Sequence, residues 1–127
     1  MEIQQILAKH GAFKVTVDND MKGNPIAITF CYVYQNCPLA FALPCNFSGV
    51  LSAMKKSTKV PRSLCTEEQA LRVGWRIVKD WVEAQMAIVE AQLSNVVEVF
   101  LPYAVTKQGN TLYQFISSDT KLLLNGG

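Results

Sequence analysis

The residues able to do chemistry here are four cysteines, one histidine, ten carboxylates and twelve cations, in a chain of 127 residues. Cys31, Cys37, Cys45 and Cys65 are separated by five, seven and nineteen residues, and His10 is the only imidazole. No C-x-x-C pair occurs, so a zinc site would need spacings unlike the usual ones, and no metal site is expected. A thiol nucleophile needs a base. His10 falls at the end of a short helix, where the negative helix terminus favours its charged form and spoils it for that role. There is no phosphate-cradling glycine loop and no Ser-His-Asp order, and the carboxylates are scattered. The expectation is a protein that is not an enzyme and carries no cofactor. Free thiols in a reducing compartment suit four unpatterned cysteines without an export signal. Cys31 sits in a strand-like run and reads as core.

The cations are better organised. Net charge is +2, but no Asp or Glu occurs between Met21 and Cys65. Lys55, Lys56, Lys59 and Arg62 fall close together there, in MKKSTKVPR. That segment reads as an exposed basic loop, suited to phosphates or acidic protein surfaces. The plain alternative is a solvated loop with no partner.

The elements that must position these residues follow from periodicity. Residues 2–10 place Ile3, Ile6 and Leu7 at helical spacing before a Gly11 stop. Residues 12–18 alternate, with Phe13, Val15 and Val17 on one face. DNDMKGNP is turn chemistry. IAITFCYVY, residues 26–34, is apolar on both faces and reads as a central strand. A turn at QNCP and a third strand over residues 39–43 complete an antiparallel meander. Asn46 or Ser48 caps a helix carrying Val50, Leu51 and Met54. Thr66 to Gln69 spells a capping box and opens the longest helix, about 67–93, which Ser94-Asn95 breaks. VVEVFL fits a short helix or a strand. Thr111 caps a last helical piece, and residues 118–127 read as a loosely held tail.

The long helix is the informative element. At 100° per residue its charged positions fill an arc of about 100°, and apolar positions spread over about 220°. An ordinary surface helix buries a stripe little wider than 100°. The sheet can cover one side. The other side calls for a second copy of the chain, a homodimer through the 67–93 helix, or for the segment around 47–54 with the C-terminal turns. Gly74, Trp75, Trp81 and Gln85 lie in this arc and are the interface candidates. Gly74 costs about 1 kcal/mol relative to Ala in a helix interior, which suggests close approach of a backbone or an aromatic ring. Trp75 and Trp81 are most simply core anchors. Gln85 reads as a core amide bonded to backbone, or as a polar contact across an interface. On the charged face, Arg72–Arg76–Asp80 and Lys79–Glu83 form i,i+4 sets.

From Glu67 to Phe115 the chain resembles small uncharacterised proteins of tailed bacteriophages and prophages. The shared pattern is Ala70, Val73, Trp75 to Ile77, Lys79 to Trp81, Ala84 and Gln85, then Leu101 to Tyr103 and Thr111 to Tyr113. The pattern has alanine where this chain has Gly74. The N-terminal half fits only in outline. The resemblance implies a protein working in the cytoplasm of an infected bacterial cell, and no activity.

The expected architecture is a single α+β domain: a three-stranded antiparallel sheet packed on one long amphipathic helix, with short flanking helices. No apolar run is long enough for a membrane span, and residues 1–11 do not read as a signal peptide. The favoured function is stoichiometric binding of a host protein or small ligand, in the manner of a counter-defence inhibitor. The alternative is a nucleic-acid-binding accessory of phage DNA replication or recombination. Lys55, Lys56, Lys59, Arg62, Arg72 and Arg76 would then contact phosphate, and Tyr32 and Tyr34 would stack on bases.

Overall fold

The structure is a computed structural model, and it describes residues 2–120. In chain order it has α1 (Glu2–Lys9), β1 (Phe13–Asn19), β2 (Pro25–Tyr34), β3 (Cys37–Pro44), α2 (Phe47–Lys56), α3 (Glu67–Glu90), α4 (Val96–Phe100) and α5 (Leu112–Ser118). Single 3₁₀ turns at Arg62–Leu64 and Leu101–Tyr103 precede α3 and follow α4. The strands form the expected antiparallel sheet, in the order β1-β2-β3.

Each connection has a local cause. Asp20 closes the first turn by accepting the Lys22 and Asn24 N–H groups, both at 2.9 Å. The second is a two-residue turn with Gln35 and Asn36 at φ 51° and 63°. Two adjacent residues with positive φ are what a hairpin turn needs to match the strand twist. The third strand therefore starts at Cys37, two residues before the expected start.

The inner face of the sheet carries the core. Ile28, Phe30 and Tyr32 of β2 lie opposite Leu43, Phe41 and Leu39 of β3. Phe30 and Phe41 stack at 5.5 Å, and Phe100 of α4 meets Phe30 edge-on at 5.4 Å. Ile3 and Leu7 of α1 and Leu71, Trp75, Val82 and Met86 of α3 close the same cluster. One strand face departs from its alternation. The register shifts between Phe13 and Thr16, with Lys14 at φ 51°. A bulged residue reverses the facing of what precedes it. Phe13 thus pairs with Cys31 on the outer face, while Val15 and Val17 pack on the core. Cys31, expected in the core, is half-buried on that outer face, and Cys45 is the buried thiol. All four thiols are free.

The helix ends obey side-chain chemistry. Asn46 caps α2, Asn95 caps α4, and Thr111 with Gln114 forms a full capping box on α5. VVEVFL is thus helical over its first five residues. The box expected on α3 is half made. Thr66 accepts from the Gln69 N–H at 3.2 Å, but the Gln69 side chain accepts from Arg72 instead. The helix also stops at Glu90, three residues early. Gln92 takes φ 61°, and the N–H groups of Gln92 and Leu93 return to the carbonyls of Val89 and Ile88. That is a Schellman closure with glutamine where glycine is usual. Of the expected tail, residues 121–127 lie outside the described residues. No helix among those described is long and apolar enough to cross a membrane.

Candidate functional site

The six expected phosphate contacts do not share one surface. Lys55, Lys56 and Arg62 line one cavity of about 750 Å³, with Ser57, Thr58, Val60 and Cys65. Lys59 lies on the same loop but outside that lining. Arg72 and Arg76 line a separate, smaller cavity of about 260 Å³, with Glu2, Ile3, Trp75 and Lys79. The two linings have no residue in common.

Their electrostatic states differ as well. Arg72 is paired to Glu68 at 2.5 Å, not to the Arg76–Asp80 set read from spacing. Lys79 reaches Glu2 at 2.6 Å and Glu83 at 3.7 Å. The hydrogen bond from Lys79 holds the Glu2 carboxyl below its ordinary range. Lys55, Lys56, Lys59 and Arg62 make no ion pair among the described residues.

His10 has a structural partner. Its Nδ1 lies 2.8 Å from the Ile6 carbonyl and its Nε2 lies 2.5 Å from a Glu90 carboxylate oxygen. Both partners can accept, so the site favours the imidazolium, in which both ring nitrogens donate. The Ile6 carbonyl, and then Glu90, raise its pKa above the ordinary value. The helix-terminus effect read from sequence thus has a carbonyl and a carboxylate behind it. No group of three or more His, Cys, Asp and Glu among the described residues is placed to hold a metal ion.

The four interface candidates on α3 separate too. Trp75 is core, 8% exposed, with its indole N–H donated to the Pro25 carbonyl at 3.1 Å. Gly74 is buried against α2, where an added Cβ would stand 2.9 Å from Cys45 Sγ and 3.5 Å from Val50 Cγ2. The close neighbours are a thiol and a valine, not a backbone or a ring. Gln85 is half-buried, so its amide keeps access to water. Trp81 is half-buried, edge-on to Phe100 at 5.5 Å and to Tyr103 at 5.6 Å.

Between these groups lies Ile77, a member of the apolar arc that nothing in the sequence marks as a contact residue. Ile77 is 57% exposed on α3. It lines a cavity of about 230 Å³ with Leu43, Pro44, Val78, Trp81 and Tyr103. It also lines a second of about 520 Å³ with Val50, Ala53, Met54, Val60 and Val73, among others. One exposed isoleucine therefore joins two shallow apolar grooves on either side of its helix. Val73, Ile77, Ala84, Ile88 and Trp81 fall within about 80° on the helix wheel. Ile77 and Ala84 are exposed and the other three are half-buried. The 220° arc had signalled more apolar surface than one sheet covers. α2 covers the Gly74 side, and this stripe is what remains.

Comparison with known protein families, with curated proteins and with solved structures finds no match.

Proposed function

We propose that this protein acts by stoichiometric binding of a host protein in a phage-infected bacterium, through the apolar face centred on Ile77. The observation that carries the reading is the continuity of that face. Ile77 bridges a groove ending at Trp81 and Tyr103 and a groove floored by Val50, Ala53 and Val73. Isolated exposed apolar residues are ordinary, whereas a contiguous apolar patch marks a contact surface. Trp81 and Tyr103 supply the half-exposed aromatic edge on which binding energy concentrates. Arg76 and Asp80 next along the helix supply a polar rim. The phage setting rests on the resemblance over residues 67–115.

The test is a photo-crosslinking amino acid placed at position 77, and in a control at Asp18 on the outer sheet face, in a bacterial host. The reading expects one discrete heavier product from position 77 and none from position 18. A product of twice the chain mass would mean that a second copy takes the face. Equal, diffuse crosslinking from both positions would overturn the reading.

A further inference from the structure

We infer that the cavity beneath the α2–α3 connection is a binding site for a small organic phosphate of nucleotide size. It borders the groove of the proposed contact face, sharing Ser57 and Val60 with it, but its cations lie outside that groove and the inference does not depend on the contact. Lys55, Lys56 and Arg62 all line this cavity, and none is neutralised by a carboxylate among the described residues. Elsewhere Arg72, Lys79 and His10 are each paired with a carboxylate. The difference begins in the sequence, since no Asp or Glu occurs from Met21 to Cys65.

The connection holds these groups in place. Ser57 closes α2 by donating its N–H to the Ala53 and Met54 carbonyls, and its hydroxyl accepts the Lys59 N–H at 3.2 Å. The Pro61 carbonyl accepts the Leu64 N–H at 3.0 Å, and the Arg62 carbonyl accepts the Cys65 N–H at 3.1 Å. Arg62 is thus fixed at the start of a closed turn. The Ser57 and Thr58 hydroxyls remain available to donate to phosphate oxygens.

Size and charge define the ligand. The volume of about 750 Å³ lies within the range of small-molecule sites. A sphere of that volume is about 11 Å across, near one screening length at ~0.1 M salt, so three cations act together on one ligand. The carbonyl end of α2 is negative and offers an anion nothing, so affinity must come from side-chain charge. That demands at least two negative charges on the ligand. Half-buried Val60 offers apolar contact to its organic part. A polynucleotide backbone would need a longer track, and Arg72 and Arg76 do not extend this one.

The experiment is isothermal titration calorimetry of the full chain with ADP, pyrophosphate, adenosine and a short oligo(dT), at low and at physiological salt. ADP and pyrophosphate are expected to bind, ADP more tightly, with affinity falling as salt rises; adenosine is not expected to bind. Lys55→Gln/Lys56→Gln/Arg62→Gln should lose at least about tenfold. Arg72→Gln/Arg76→Gln should bind as the parent does. Should the triple variant fail to fold, Arg62→Glu alone serves, with the same loss expected. No binding of either phosphate at low salt would overturn the site. So would equal loss in the Arg72/Arg76 variant, or oligo(dT) binding that pyrophosphate fails to displace.

Discussion

His10 lies between two acceptors, the Ile6 carbonyl and the Glu90 carboxylate, and both favour its charged form. A group whose folded pKa stands above its unfolded value stabilises the fold below the unfolded value. That contribution is lost as pH rises through the folded pKa. The chain should therefore weaken in urea as pH climbs above about 6.5. An NMR titration of the His10 ring should give a midpoint above the ordinary 6.5, and Glu90→Gln should lower it. A midpoint at or below 6.5 would remove the argument. Gly74 offers a second residue-scale test. An alanine there meets Cys45 Sγ at 2.9 Å, in a site where Cys45 is 6% exposed. Gly74→Ala should cost about 1–2 kcal/mol by crowding, net of a helix-propensity gain. In a Cys45→Ala background the same change should instead stabilise by up to about 1 kcal/mol. Equal effects in both backgrounds, read by denaturant titration, would show that Cys45 is not the obstacle. The sequence flagged Gly74 as costly, but its partner lies 29 positions away and no local pattern names it.

At the scale of elements, α4 shows how much a five-residue helix can depend on one side chain. Phe100 is its one buried residue, and its ring touches Phe30, Phe41 and Trp81. Phe100→Ala should cost about 3–5 kcal/mol by urea denaturation. A loss under about 1 kcal/mol would mean α4 is dispensable to the core. Periodicity and capping made the strands, the helix starts and the long amphipathic helix legible, because those signals are local. The bulge at Lys14, which turns Phe13 outward, was not legible. An alternating run looks the same with or without one extra residue. The early end of α3 was hidden for a similar reason. Gln92 adopts φ 61° without the glycine that would have announced it. QNCP showed as a turn, but its type follows from two positive φ values at non-glycine residues.

For the whole molecule, the surface divides by chemistry. His10, Arg72 and Lys79 are paired to carboxylates, the cations of the α2–α3 connection make no ion pair among the described residues, and an apolar stripe runs along α3 through Ile77. The wide apolar arc was readable as excess, yet its uncovered part depended on where α2 landed. The six basic residues were readable as a group, but α3 separates Arg72 and Arg76 from the loop. With Ile77 57% exposed, Ile77→Asp should leave stability within about 0.5 kcal/mol of the parent. It should nonetheless abolish binding. The most direct measurement is quantitative capture from bacterial lysate with the parent chain and with Ile77→Asp as baits, their thermal melts coinciding. The expected result is one host protein at a one-to-one ratio on the parent and none on the variant. The same proteins in the same amounts on both baits would contradict the proposed contact face.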